Sequence, residues 1–243
     1  MIPWLTPDAP FPPVASALKR PNGLLAASSP ADLTVERLIQ AYRAGIFPWY
    51  SEGEPALWWS PDPRMVLFVD ELHVSRSLRK HLRAIAADPG LDLRADSAFE
   101  AVMRACAAPR PGQAGTWITE QMLAGYCGLA RIGLAHCVEL WCGEQLLGGI
   151  YGVCLGRMFF GESMFSRAPN ASKVALAALA ALLLREGVAM IDCQQNSAHL
   201  VSLGGREIAR TQFSARVAGA VQMTPIDWSR YQGTRLNSLL SDH

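Results

Sequence analysis

The chain has 243 residues, half of them apolar and 18% charged, with a net charge near +1 and unexceptional numbers of Gly and Pro. This excludes a disordered, collagen-like or polycationic protein and describes a globular chain with apolar mass for a real core. The bases are 19 Arg against 3 Lys. Arginine's planar fork suits phosphate and stacks on aromatic rings, although a GC-rich genome produces the same bias.

Residues 1–32, rich in Pro, Ala and Ser, are expected to be loosely structured, and Met1-Ile2-Pro3-Trp4 lacks the basic and apolar parts of a secretory leader. A helix is expected from Leu33 to Ala44, with Leu33, Leu38, Ala41 and Tyr42 on one face and Gly45 ending it. Phe47-Pro48-Trp49-Tyr50 and Leu57-Trp58-Trp59-Ser60-Pro61-Asp62-Pro63-Arg64 follow. Their prolines deny a helix, so short strands and turns are expected. Met65 to Val69 reads as a strand and a candidate boundary, dividing the chain into 1–68 and 69–243. Beyond it the helical period places Arg76, Arg79, Lys80 and Arg83 on one stripe and Val74, Leu78, Leu82 and Ile85 on the opposite one.

Val138–Cys142, Gln145–Cys154 and Met158–Phe165 read as an antiparallel meander. A helix capped by Asn170 or Ser172 runs to Gly187, and Val188–Gln194 reads as a buried strand. A short helix over His199–Leu203 stops at Gly204-Gly205. Glu207-Ile208 leads to a strand or turn, and Thr211 is placed as the cap of a helix through Val221. The apolar run Val174–Leu184, 11 residues, is too short to cross a bilayer. The six cysteines form no C-x-x-C pair and read as reduced thiols of a cytoplasmic protein. The class is α+β.

Asp192 and Gln194 stand two apart on a strand, so they share a face, with Cys193 on the other. They read either as partners for loop backbone groups or as a polar pair facing a cleft. Neither is a strong nucleophile, so the cleft reading has one substrate attacking another. Gly161-Glu162-Ser163 lacks the last glycine of a nucleophile elbow. A Ser163–His199–Asp192 triad can be drawn, but Ser163 reads better as a hydrogen-bonding residue and Glu162 as acceptor for a cation. Trp58 and Trp59 read as core. Trp49 and Trp117 suit base stacking, worth ~1–3 kcal/mol per base. The basic stripe is either a solvated face or a phosphate track.

Eight pieces in order carry a resemblance: Phe47-Pro48-Trp49, Trp58 through Arg64, Gly115 through Thr119, Gly148 through Gly152, Gly161 through Ser166, Asn170 through Lys173, Ile191 through Gln194 and Ser202-Leu203-Gly204. Together they resemble the leucyl/phenylalanyl-tRNA–protein transferases, from about Tyr42 to about Ile208. The resemblance implies a small N-terminal α/β domain and a larger acetyltransferase-like domain with a mainly antiparallel sheet. It implies transfer of Leu or Phe, and Met less well, from aminoacyl-tRNA to proteins that begin with Arg or Lys, marking them for N-end rule degradation. By position it makes Asp192 and Gln194 a catalytic pair and lets Trp49 and Trp117 hold the terminal adenosine. It places Ile150, Phe159, Gly161, Met164 and Ile191 around the amino-acid side chain, and Glu162 near the ester.

Such a pocket admits side chains with an unbranched Cβ and is tight for Val and Ile. Glu162 and Asp192 would supply negative charge for a basic acceptor. The ester is already activated, so neither metal nor cofactor is expected, and a monomer off the membrane is. Gln195-Asn196-Ser197-Ala198 is more polar than the family's pattern at its first place. Two other classes stay open. A CoA-dependent N-acetyltransferase would need a glycine-rich pyrophosphate loop, which Phe165–Pro169 lacks. An RNA-binding module would leave Asp192 and Gln194 unexplained.

Overall fold

The computed structural model describes residues 1–109 and 116–242, so Gly115 of the third motif lies outside the described residues. In chain order the elements are β1 (Trp4–Leu5), β2 (Leu24–Ser28), α1 (Val35–Arg43), β3 (Phe47–Pro48), β4 (Ala56–Trp59), β5 (Arg64–Phe68), α2 (Arg76–Ala87), β6 (Leu91–Ala95) and α3 (Phe99–Ala107). Then come α4 (Glu120–Arg131), β7 (Ala135–Cys142), β8 (Gln145–Leu155), β9 (Met158–Ser166), α5 (Ala171–Arg185), β10 (Met190–Gln194), α6 (Ala198–Ser202), β11 (Arg206–Ile208) and α7 (Arg210–Ala220).

Two sheets organise these elements. The small one has the order β1-β2-β4-β3, and the large one β11-β5-β10-β9-β8-β7-β6. In the large sheet every pair is antiparallel except β9 with β10. The class is α+β with a mainly antiparallel sheet, as expected. β5 belongs to the large sheet, so the chain crosses between the sheets at residues 60–63, ahead of the expected boundary after residue 68.

The two-residue period of the strands sorts side chains onto the faces of the large sheet. Val66, Phe68, Tyr151, Phe160 and Met190 join a core with α1, α3, α4, α7 and the small sheet. Their neighbours Leu67, Ile150, Phe159 and Ile191 join a second core with α2 and α5. α5 is apolar nearly all round, with eleven buried residues from Ala171 to Leu183, and lies within that second core. No helix among the described residues is long and apolar enough to cross a membrane.

The expected elements are present, with three corrections. Residues 1–32 are not loose throughout: Leu24–Ser28 forms β2, whose residues 25–28 are buried. Trp58, fully buried in β4, donates from Nε1 to Ser28 Oγ at 3.0 Å, which ties that segment down. Asn170 precedes α5 with φ +61 and no side-chain cap bond; instead Ser166 Oγ accepts from the Ser172 amide at 2.8 Å. Thr211 lies inside α7, whose cap position is Ala209. α3, α4 and β6 occupy a stretch for which the sequence offered no assignment.

Candidate active site

The parallel pairing of β9 with β10 ends at Phe160 and Asp192. Beyond that point each strand leaves its other neighbour's register by one residue, at Glu162 in β9 and Cys193 in β10. Bulges of this kind bend a strand and interrupt its ladder. The two strands therefore part, and two cavities open around the gap, of about 220 Å³ and about 210 Å³.

Asp192 does not face either cavity. It is fully buried, and its carboxylate accepts two hydrogen bonds from Arg64, Nε to Oδ1 at 2.7 Å and Nη2 to Oδ2 at 2.6 Å. Arg64 Nη1 donates to the Gly45 carbonyl at 3.2 Å, and the guanidinium lies 4.8 and 4.4 Å from the ring centres of Phe47 and Phe213. Bidentate pairing of this kind allows a carboxylate and an arginine to sit away from water together. The Ser163–His199–Asp192 triad is not assembled, because Arg64 holds both oxygens of Asp192.

The strict alternation that put Gln194 beside Asp192 fails at the last step. Gln194 adopts φ +57, a conformation rare outside glycine. Its backbone N–H donates to Asp192 Oδ1 at 3.0 Å, while its side chain turns into the gap. So Asp192 reaches Gln194 through the backbone. Cys193 is on the opposite face from Asp192, as expected, and burial first, then Asp192, raises its thiol's pKa far above the ordinary range. It is not a thiolate nucleophile.

Glu162 is the hub of the gap. The Tyr42 phenol oxygen lies 2.7 Å from its Oε1 and that of Tyr126 3.0 Å from its Oε2, both within hydrogen-bond distance, and Gln194 Nε2 donates to Oε1 at 3.0 Å. The two phenol oxygens also contact each other. Loss of water around the carboxyl pushes its pKa up to about 7, with Asp192 adding to the rise and the tyrosine hydrogen bonds and Arg64 opposing it. The same burial disfavours the anion expected for binding a cation.

The first cavity is lined by Phe47, Pro48, Trp49, Trp117, Glu162, Cys193, Gln194 and Gln195. It brings together the two tryptophans singled out for stacking and the polar residues of the gap. Trp49 is 40% exposed and held by Trp59, whose Nε1 donates to the Trp49 carbonyl at 2.7 Å. The second cavity is mostly apolar. Ile150, Gly161, Met164 and Ile191 line it together, with Leu67, Leu176 and Leu200 in addition and Ser163, Ser197 and His199 at its polar side. Phe159 does not line it; it is fully buried and packs 6.2 Å from Trp228. The cavities share Glu162, Cys193 and Gln194.

Gly161 sets the depth of the second cavity. A Cβ there would lie 3.2 Å from Ile191 Cγ2 and 3.4 Å from the Asp192 carbonyl. Gly161→Ala is therefore expected to narrow the cavity and lower binding of a large aromatic group about tenfold relative to an aliphatic one, a difference of the size that one methyl group produces in an apolar pocket. Competition between aromatic and aliphatic probes for the cavity measures it.

α2 carries Arg76, Arg79, Lys80 and Arg83 exposed, above a buried face of Leu78, Leu82 and Ile85. Its approach is tied to α6, at the rim of the second cavity, by the His73 amide donating to the Leu203 carbonyl at 2.9 Å. Gly204 makes this fit possible, with φ +94 and the Glu71 carbonyl 2.4 Å from where a Cβ would be.

Residues 66–218 match the family model described as leucyl/phenylalanyl-tRNA protein transferase, and residues 31–62 match its N-terminal domain. A leucyl/phenylalanyl-tRNA–protein transferase of Burkholderia ambifaria is 58% identical over 94% of this chain and 91% of its own length. One of Bordetella petrii is 55% identical over 100% of this chain and 96% of its own. The chain belongs to the leucyl/phenylalanyl-tRNA–protein transferase family. As a member it is an aminoacyltransferase that moves an aminoacyl group from aminoacyl-tRNA to protein. Among solved structures, L-PGS from Bacillus licheniformis is similar at 14% identity and a TM-score of 0.37, over 73% of this chain and 56% of that one. A GCN5-related N-acetyltransferase-like protein from Streptococcus suis is similar at 12% and 0.33, over 71% and 63%. Both are distant enough to say nothing of the chemistry.

For a leucyl/phenylalanyl-tRNA–protein transferase, the residues that sequence reasoning passed over are Arg64, Tyr42 and Tyr126 as partners of the gap. Tyr42 and Arg64 stood in stretches read for core and turn. Tyr126 shares a helical stripe with Met122, Leu123 and Leu129, which the i, i+3, i+4 period could have shown.

Proposed function

We propose that this transferase takes Leu or Phe, and Met less well, from aminoacyl-tRNA to the α-amine of proteins beginning with Arg or Lys, so marking them for N-end rule degradation, and that it works as a cytoplasmic monomer. The observation that carries the reading is the pair of cavities meeting at Glu162, Cys193 and Gln194. Trp49 and Trp117 at the first suit the terminal adenosine, and the apolar walls of the second suit an amino-acid side chain free of branching at Cβ. The ester then lies at the shared wall, where Gln194 stands.

The chemistry asks little of the protein beyond placement. An α-amine titrates at about 7.7–8.0, so part of it is neutral at cellular pH. Its nitrogen attacks the ester carbonyl carbon, a peptide bond forms, and the bond from that carbon to the ribose oxygen breaks. One amine proton leaves and the ribose hydroxyl gains one. Alignment of this kind contributes ~7–11 kcal/mol in ideal intramolecular cases. The Gln194 carboxamide oxygen is the acceptor that holds the incoming amine. Asp192 holds Gln194 by its backbone amide, and Arg64 holds Asp192. Of the two carboxyl groups that could attract a basic first residue, Asp192 is paired with Arg64 and Glu162 lines both cavities with its pKa raised to about 7.

The test is transfer of radiolabelled Leu from Leu-tRNA to peptides differing in their first residue. Label is expected in peptides beginning with Arg or Lys and not in the same peptides acetylated at the N-terminus. Equal labelling whatever the first residue would remove the acceptor rule.

Arg76, Arg79, Lys80 and Arg83 serve, on this reading, as a phosphate track for the tRNA. Neutralising any one of them is expected to weaken tRNA binding and to lower the slope of log affinity against log salt by about 1. A filter-binding titration across salt concentrations reads this, and an unchanged slope in all four variants would clear the face of that role.

A further inference from the structure

Three oxygen-to-oxygen contacts link Glu162, Tyr42 and Tyr126: Tyr42 to Oε1, Tyr126 to Oε2, and the two phenols to each other. Two phenols bring only one proton each. With an ionised Glu162 both protons go to the carboxylate, and the phenol–phenol contact sets lone pair against lone pair with no hydrogen between. A protonated Glu162 supplies the third proton, and all three contacts become hydrogen bonds in a closed ring. Burial, above all, raises both phenol pKa values well beyond the usual range, so neither tyrosine supplies a charge instead.

The ring keeps the way Gln194 is held, and adds a fixed position for the carboxyl that holds it. Whichever way round the protons run, any hydrogen on Glu162 Oε1 points at Tyr42, so towards Gln194 that oxygen can only accept. Gln194 must then present its N–H to Glu162, as observed at 3.0 Å, and its carbonyl oxygen is turned away from Glu162 and towards the cavities.

We propose that Glu162 works as a neutral acid whose proton closes a ring with Tyr42 and Tyr126, and that the two tyrosines are positioning residues which, through it, fix the oxygen of Gln194 towards the acceptor amine. This rests on the transfer reading above for what the oxygen meets, but the ring itself does not. The ionisable groups facing Glu162 are Tyr42 from α1, Tyr126 from α4, Tyr151 from β8, Arg64 from β5, and Asp192 and Cys193 from β10. Arg64 and Asp192 are paired with each other, so their fields largely oppose at Glu162.

The sign of the pH effect follows. The ring is intact while Glu162 is protonated and is lost as pH rises through about 7. Glu162→Gln is the isostere of the neutral acid: its oxygen accepts from Tyr42 and Gln194, and its amide donates to Tyr126. Glu162→Gln is expected to transfer about tenfold faster than Glu162→Ala, and its rate relative to the parent is expected to rise across pH 7. Tyr126→Phe and Tyr42→Phe open the ring and are expected to lower kcat about tenfold, the loss of roughly one hydrogen bond, with little change in KM for aminoacyl-tRNA. Infrared difference spectra of protein labelled at glutamate, recorded without tRNA, should show a carboxylic-acid carbonyl band on the acid side of about 7 that Glu162→Gln removes and Tyr126→Phe shifts.

A carboxylate band at Glu162 throughout that range, or a folded Glu162→Gln no better than Glu162→Ala, would overturn the proposal. Because the spectra need no substrate, failure of peptide labelling with the band present would fault the transfer reading and leave the ring intact.

Discussion

Arg64→Met is expected to lower folding stability by ~3–5 kcal/mol, because it leaves the Asp192 carboxylate fully buried with its counter-ion gone. The change also frees the Gly45 carbonyl and takes a cation away from the rings of Phe47 and Phe213. A urea titration followed by tryptophan fluorescence measures it. The double change Arg64→Met with Asp192→Leu should recover much of that loss, since two apolar groups of similar size can replace a buried pair at little cost. It should not recover transfer, because the Gln194 backbone amide then lacks the acceptor that holds it at φ +57. A single Arg64→Met variant that unfolded at the parent's urea concentration would mean that Asp192 can be buried neutral, and the pair would lose its structural role.

Gln194→Ala is expected to lower kcat/KM for transfer ~10²-fold, the scale of removing one well-placed polar group from a reacting centre, with tRNA affinity close to the parent's. The side chain lies at the shared wall of the cavities, and none of the exposed basic residues of α2 lines either one. Rapid-mix transfer with saturating Leu-tRNA, and filter binding alongside, separate the two effects. Full transfer by Gln194→Ala would move the reacting centre elsewhere; an equal loss of binding would make Gln194 a tRNA ligand instead.

Much of this architecture can be read from the chain because its elements follow simple periods. The meander, the α2 stripes and the strand ending in Gln194 all show two- or 3.6-residue repeats, and the structure keeps them. The site is less legible where the periods break. Alternation places Asp192 and Gln194 on one face of the strand, yet the bulge at Cys193 and the positive φ of Gln194 send one into the core and the other into the gap. A one-residue bulge leaves no mark in a pattern of apolar and polar residues. Arg64 shows the opposite failure. An arginine after Pro-Asp-Pro looks like a turn residue, and only its distant partner, Asp192, makes it a core one. Glu162 reads as an anion because its sequence neighbours are Gly161 and Ser163; the tyrosines that change its chemistry come from α1 and α4. Phe159 illustrates a smaller limit: it and Ile191 join the same core, but depth within a face is not written in alternation.

The parting of β9 from β10 has one more consequence. On the proposed reading, the bond that breaks in transfer lies at the junction of two cavities that have only Glu162, Cys193 and Gln194 in common. Cleavage there leaves each half of the donor in a chamber of its own, the spent nucleotide between the tryptophans and the transferred residue among aliphatic side chains. On that reading the two products are held by different walls, so contacts to the nucleotide can be lost while those to the transferred residue remain.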